Sequence, residues 1–339
     1  MRAFVTGGTG LIGRPLVDAL VRRDWDVTVL TRDPARAADF RARGVKIVVG
    51  DVTVPRFREA MSRADVVFHI AGWLELGIRD AARMFEVNLT GTGNVLSMAR
   101  KENVGRVVYT STAGVIAGAT TDRPATESSP VRVALNDPYV RSKVQAHELA
   151  MKEMNAGLPL TIVLPAAVFG PHDTGQLGRS LALIARGKLP RLPKGFGTNT
   201  WTHSADIAEG HFLAATVGRP GQQYLLGDRV LPMVDFYRKA AEAVGVPPPT
   251  VSVPMGIAQI AARFSEAGAW FAGRTPLLSR SALNLAAVDL VVDASKARRE
   301  LGWNPPPLDS RIRETMDWFS VTYRDRRTPL PRKPSGPSR

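Results

Sequence analysis

Tyr139 and Lys143 lie four residues apart in the run Tyr139-Val140-Arg141-Ser142-Lys143. On a helix that spacing sets a phenol and an ammonium side by side on one face. A neighbouring ammonium eases loss of the phenolic proton, so such a pair can pass a proton to or from a substrate oxygen near neutral pH. Many sequences contain a Tyr and a Lys at this spacing by chance. Here Ser111-Thr112 closes the preceding apolar run, where a hydroxyl can meet the tyrosine oxygen; the plainer role for Thr112 is to cap the strand end.

A second group suits an anionic ligand. Thr6-Gly7-Gly8-Thr9-Gly10-Leu11-Ile12-Gly13 follows the first apolar run and opens a helical pattern. Gly7 permits a tight turn, Gly10 lets a backbone approach a pyrophosphate, and Gly13 allows close packing of helix on strand, while the helix N-terminus supplies N–H donors. With a second strand beginning by Val27, the context is that of a dinucleotide site. Dinucleotide sites that hold an unphosphorylated adenosine ribose place an acid at the end of the second strand. Leu30-Thr31-Arg32 has none, and Arg32, with Arg36 one turn on, suits a 2′-phosphate. The alternative gives the ribose to Asp33 and leaves Arg32 as a solvated cation. Asp51 and Val52, after the third strand, fit an adenine-edge contact or a turn leading into a helix.

These groups need a frame that brings strand ends together. Ala3–Thr6, Val27–Leu30, Lys46–Val49, Val66–Ile70, Val107–Thr110 and Thr161–Leu164 are short apolar runs, mostly continuous, as strands buried on both faces should be. Between them the pattern predicts helices over Leu11–Arg23, Pro34–Arg43, Pro55–Arg63, Arg79–Lys101 and Pro138–Asn155. The alternation predicts an α/β fold, a doubly wound parallel sheet of the Rossmann type, with ligands beyond the carboxyl ends of the strands. Residues 1–165 form the expected dinucleotide domain, to which about 200–227 return. Residues 166–323 form mainly a smaller substrate lobe, with helices predicted over Ser204–Thr216, Val234–Val244, Gly256–Phe271 and Leu308–Tyr323, and 324–339 a disordered basic tail.

Composition narrows the chemistry. The chain has 339 residues, 44% hydrophobic, with no Cys and five scattered His, which leaves no thiolate chemistry and points to no metal site. Net charge is +14, of which +5 sits in the Pro-rich segment from Arg324. No aromatic residues interleave with the cations, so no nucleic-acid partner is expected. No apolar run approaches the roughly 20 residues of a membrane span. The N-terminus reads as a strand entering a glycine turn and not as a signal peptide. The expectation is a soluble, cytoplasmic protein without a membrane partner.

Taken together the motifs resemble the extended short-chain dehydrogenase/reductases, the NAD-dependent epimerase/dehydratase family, to about Tyr323. The matches are TGGTGLIG from Thr6, Asp51, His69-Ile70-Ala71-Gly72, Asn88-Leu89-Thr90-Gly91-Thr92-Gly93-Asn94, Val108-Tyr109-Thr110-Ser111-Thr112, Tyr139/Lys143, Trp201-Thr202-His203-Ser204-Ala205-Asp206-Ile207-Ala208 and Leu301-Gly302-Trp303-Asn304-Pro305. The resemblance implies Thr112, Tyr139 and Lys143 as catalytic residues, with Lys143 lowering the Tyr139 pKa and holding the nicotinamide ribose. It implies cofactor contacts from Gly7, Thr9, Gly10, Leu11, Ile12, Gly13, Arg32, Asp51, Val52, Ala71, Gly72, Asn88, Pro165 and Val168. Where sugar-nucleotide enzymes commonly read RPxxVYGP, this chain reads Leu164-Pro165-Ala166-Ala167-Val168-Phe169-Gly170-Pro171, which resembles the dihydroflavonol 4-reductase branch. The implied activity is NADPH-dependent reduction of a ketone or aldehyde. A nucleotide-sugar epimerase or dehydratase with bound NAD is the alternative, and a silent NADPH-binding regulator a third.

Trp73, Leu74, Leu76, Phe169, Leu177 and Phe196 are candidates to face an apolar carbonyl substrate. Arg179, Arg186, Lys188, Arg191 and Lys194 are the cations that could replace the missing arginine, and Glu75 and His172 are candidate extra bases or ordinary loop residues. By resemblance, helices Arg79–Lys101 and Pro138–Asn155 would pair subunits in a homodimer.

Overall fold

The computed structural model describes the chain except residues 75–80, 117–119, 132–136, 189–190, 250, 272–275, 277, 326–327 and 332–339. Strands β1 (Arg2–Thr6), β2 (Asp26–Thr31), β3 (Lys46–Val49), β4 (Val66–His69), β5 (Arg106–Thr110) and β6 (Leu160–Pro165) alternate with α1 (Gly13–Val21), α2 (Ala38–Arg41), α3 (Arg58–Met61), α4 (Ala81–Phe85), α5 (Gly91–Lys101) and α6 (Pro138–Asn155). The later segments are β7 (Ala167–Phe169), α7 (Gln176–Ala185), β8 (Leu192–Pro193), β9 (Thr198–His203), α8 (Ser204–Thr216), β10 (Gln223–Leu226), β11 (Arg229–Pro232), α9 (Met233–Ala243), β12 (Val251–Val253), α10 (Met255–Phe271), α11 (Arg280–Ala286), α12 (Ser295–Leu301) and α13 (Leu308–Tyr323).

Seven parallel strands form one sheet in the order β10-β6-β5-β4-β1-β2-β3. The order reverses between β1 and β4, and the crevice beyond those two strand ends is where doubly wound sheets bind ligands. β4 and β6 are buried throughout, which is why the sequence shows continuous apolar runs there. Phe4, Val107 and Leu164 belong to the core on one face, Val5, Val108 and Val163 to the core on the other. A third cluster around Trp201, Phe236 and Phe319 fills the lobe built from α7, α9 and α13.

Helix boundaries differ where local geometry intervenes. The helix read from Leu11 begins at Gly13, because Gly10–Ile12 belong to the loop. The helix predicted over Pro34–Arg43 splits into a tight turn, Pro34–Ala37, and α2, and that over Pro55–Arg63 contracts to α3. Of the predicted Arg79–Lys101 helix, the first two residues lie outside the described ones. The remainder is continuous but widens into a π turn over Glu86–Thr90, the stretch that carries Asn88.

Thr328–Pro331 correct the reading of the whole basic tail as disordered. Arg186 donates to the carbonyls of Tyr323 and Thr328, and Leu330 packs against the third core cluster. Partial apolar burial and a half-buried guanidinium hold a segment whose composition alone suggests no structure.

Candidate active site

The glycine loop is shaped by contacts that a side chain would block. Gly7 has φ 72°, and a Cβ there would lie 2.6 Å from the Ala71 backbone nitrogen; at Gly13 it would lie 2.1 Å from the Gly7 carbonyl oxygen. The tight turn expected at Gly7 is therefore present. Gly13 packs on the loop itself, so that α1 starts directly above the end of β1. No side chain caps α1, which leaves its N-terminus, with Leu11 and Ile12 in the loop before it and Gly13 as its first residue, suited to a pyrophosphate. A Cβ on Gly10 would meet only the Gly7 oxygen, at 3.2 Å, so one side of Gly10 is open to a ligand. Thr9 directs its carbonyl to the Arg36 guanidinium at 3.1 Å.

At the end of β2, Asp33 and Arg32 have different partners. The Asp33 carboxylate accepts from the Ala35 backbone N–H at 3.0 Å and caps the turn that follows. Arg32 is exposed, 3.8 Å from Asp51. Arg36 is held at Thr9 with its pKa lowered by burial and by the charges of Arg14 and Arg32. Arg14, next to Arg36, is paired with Asp39 at 2.8 Å. The Asp51 carboxylate is engaged by Thr53 N–H at 2.9 Å and Arg83 at 3.1 Å. Val52 is buried, and its carbonyl accepts from Asn94 at 2.9 Å.

The loop after β4 is fixed by a chain of hydrogen bonds through a neutral histidine. Ala71 N–H donates to Thr6 Oγ1 at 3.3 Å, and Thr6 Oγ1 lies 2.8 Å from His69 Nδ1. His69 Nε2 lies 3.0 Å from Thr92 Oγ1, which donates to the Asn88 carbonyl at 2.6 Å. One neutral tautomer satisfies every link, and burial, followed by the Lys143 charge, pushes the His69 pKa down to about 3. The Asn88 side chain clamps the Trp73 backbone through both its oxygen, 2.7 Å, and its nitrogen, 3.0 Å, and also donates to Ser142 Oγ at 2.9 Å. Asn88 thus ties the Ala71-Gly72-Trp73 loop to α6; its side chain is committed to the protein.

Thr112 and Tyr139 come together as the sequence suggested. Thr112 follows β5 in extended backbone and accepts from Gly114 N–H at 3.2 Å, so the capping role and the site role coexist. Thr112 also acts on the Tyr139 phenol, drawing its pKa down. Asp137 caps α6 through the Tyr139 N–H at 2.8 Å, and Pro138 starts the helix, so Tyr139 sits rigidly in the first turn. Burial pushes the Tyr139 pKa up to about 12, against a lowering by Thr112, while Asp137 raises it further.

Lys143 reaches toward β5. Its ammonium donates to the Tyr109 hydroxyl at 3.2 Å and the Thr110 carbonyl at 2.9 Å, and burial lowers its pKa to about 7. It does not appear among the groups acting on the Tyr139 phenol. The flexible four-carbon stem lets the amine turn toward β5, whatever the spacing along the helix. Tyr109, stacked on His69 with ring centroids 5.5 Å apart, and His147, which shares a 3.0 Å hydrogen bond with Ser111, complete a buried polar layer that residue spacing did not reveal. Its signal in the sequence is polar residues on strands otherwise buried throughout.

The apolar candidates divide. Trp73 packs partly on the core beside this loop and Leu74 is exposed; Leu76 and Glu75 lie outside the described residues. Phe169 is fully buried, edge-on to His203 and Phe236, and Leu177 and Phe196 pack on the same cluster. Phe169 is therefore core of the smaller lobe, with partly buried Leu177 and Phe196 packed against it. His172 lies against Trp318, with centroids 4.7 Å apart. A groove of about 640 Å³ along α1 and α8, lined by Arg14, His172, His203 and Arg311 among others, contains none of Thr112, Tyr139 and Lys143. Pro165 is the last residue of β6, and half-buried Val168 pairs with Thr202.

Residues 3–227 match the sequence profile described as the NAD dependent epimerase/dehydratase family. The chain belongs to that family. A ketoreductase from Stigmatella aurantiaca, named for 4-hydroxy-2-methyl-3-oxo-4-farnesyl-3,4-dihydroquinoline-1-oxide, is 31% identical over 89% of this chain and 92% of its own. A dihydroflavonol 4-reductase-like protein of Synechocystis is 29% identical over 93% and 94%. The solved Thermus thermophilus UDP-glucose 4-epimerase, in complex with NAD, is 26% identical with TM-score 0.75, over 94% of this chain and 99% of its own. In this member of the epimerase/dehydratase family two motif segments are architectural. Asp206 pairs with Arg311, and Trp303 donates its indole N–H to the Asp206 carbonyl at 2.8 Å, tying α8 to α13 and to the loop between α12 and α13.

Proposed function

We propose that the protein is an NADPH-dependent reductase of an apolar ketone or aldehyde, with Tyr139 as the proton donor. The observation that carries this reading is the placing of Thr112 just after β5 and of Tyr139 in the first turn of α6, near enough for Thr112 to lower the phenol's pKa. The dinucleotide supplies the hydride. Thr112 would hold the carbonyl oxygen against Tyr139, and as the carbon accepts hydride the phenol would give its proton to the oxygen, leaving an alcohol. The phenol is protonated at neutral pH, as a proton donor must be. Lys143 would bind the nicotinamide ribose from its place at Thr110 and supply the proton that restores Tyr139.

Preference for the 2′-phosphate is supported by the cations of Arg14, Arg32 and Arg36 and by Asp33 being spent as a cap. NADPH should bind at least several-fold tighter than NADH, with the gap shrinking in Arg32→Ala; equal affinities in the unaltered protein would remove this part of the reading. The nucleotide-sugar alternative draws on likeness to the Thermus epimerase. Leu164 in place of the usual arginine weighs against it, and the names of the Stigmatella and Synechocystis relatives favour a carbonyl substrate.

A further inference from the structure

α10 is amphipathic the wrong way round for a helix on a protein core. Ile257, Ile260, Ala261, Phe264, Ala267, Gly268 and Phe271 follow helical spacing along its outer face, and Phe264 and Phe271 are 75% and 82% exposed. The polar residues face inward instead. Gln259 donates to Asn284 at 2.9 Å, Ser265 accepts from Leu278 N–H at 3.2 Å, and Glu266 accepts from the Arg280 backbone N–H at 2.7 Å and its guanidinium at 2.8 Å. Of its own residues only the small Ala258 and Ala262 are buried, against Leu283 of α11. The helix is therefore held by hydrogen bonds and an ion pair while a row of large apolar side chains faces outward. A contiguous exposed patch of this kind marks an interaction surface.

We infer that this face lies on an anionic lipid surface. The charge around it is one-sided. No acid occurs between Asp173 and Asp206, and Glu266, already paired with Arg280, is the one acid between Glu242 and Asp289. β12, which leads into α10, pairs with β8, and there Lys194 N–H bonds the Val253 carbonyl. Exposed Lys188, Arg191 and Lys194 flank β8, and exposed Arg263 sits beside Phe264. Apolar side chains with neighbouring cations and an exposed Trp270 are what an interfacial helix presents to acidic headgroups. Two copies meeting through this face would set like cations against each other. The sequence offers no membrane-spanning run, and a helix lying flat in the interface requires none; the inference thus departs from the expectation of a protein without a membrane partner.

Vesicle co-sedimentation tests this without any turnover, so its outcome is independent of the proposed reaction. The full chain should partition onto phosphatidylcholine/phosphatidylglycerol vesicles and much less onto phosphatidylcholine alone. Ile260→Ser with Phe264→Ser should lower partition roughly tenfold, and Arg263→Glu should weaken it at low salt, with unchanged melting temperatures because all three side chains are exposed. Equal partition of parent and serine variant, or none by the parent, would overturn the inference. So would a lipid-free dimer that Phe264→Ser dissociates, which would give the face to a second copy.

Discussion

At the scale of single residues, the distinctive feature is an amine buried beside a phenol other than the one its helix spacing suggests. Lys143 is 5% exposed, and its pKa falls from the ordinary 10.5 to about 7. Between those two pH values the unfolded chain holds a proton that the folded chain has shed. Stability should therefore rise with pH across that window and be lost again as pH falls toward 7. Lys143→Met keeps the stem and removes the titration, so urea denaturation of parent and variant from pH 7 to 10 should show a steeper rise in the parent. Identical slopes would mean that the ammonium is not desolvated. The residue types of this site were legible: Tyr139, Lys143 and Thr112 could be named from spacing. The direction of the Lys143 amine could not, because a long side chain chooses among acceptors that only the packed strand provides, here Tyr109 and Thr110.

At the scale of elements, the six strands from β1 to β6 could be read because burial on both faces writes continuous apolar runs into the chain. β10 was harder to read, since four residues, Gln223–Leu226, carry too little pattern to separate strand from loop. The turn from β1 into α1 was also legible, and its glycines differ in a way that can be tested. An Ala at 13 would drive its Cβ into backbone at 2.1 Å, whereas an Ala at 10 meets a single oxygen at 3.2 Å. Gly13→Ala should lower the melting temperature of the protein without added cofactor by several degrees, on the order of 1–3 kcal/mol for overpacking. Gly10→Ala should melt near the parent while losing at least tenfold in dinucleotide affinity, because its open side is where the ligand backbone would approach. Equal melting shifts in the two variants would contradict this division.

At the scale of the whole molecule, a sheet with its ligand crevice carries a lobe whose aromatic core, Trp201, Phe236, Phe169 and Phe319, is its own. The sequence could not distinguish Phe169 from a substrate wall, since both uses require the same apolar side chain near the same loops. Packing also reaches the chain beyond α13, where composition suggested none. Removing residues 332–339 should leave the melting temperature unchanged. Removing 328–339 should lower it by a few degrees, through exposure of Leu330 and loss of the acceptor for Arg186. A scanning calorimetry trace unaltered by the longer deletion would show that this docking contributes nothing.

The central claim is that Tyr139 gives a proton to a carbonyl oxygen as NADPH is consumed. The most direct measurement is the rate of NADPH oxidation with a set of aromatic and alicyclic ketones and aldehydes, in the parent and in Tyr139→Phe, with NADPH affinity measured alongside. The expected result is turnover by the parent and a fall of about 100-fold or more in the variant at nearly unchanged NADPH affinity, the size of effect that follows loss of a general acid. Unchanged turnover in Tyr139→Phe, or interconversion of UDP-sugars by the parent with no net loss of NADPH, would contradict it.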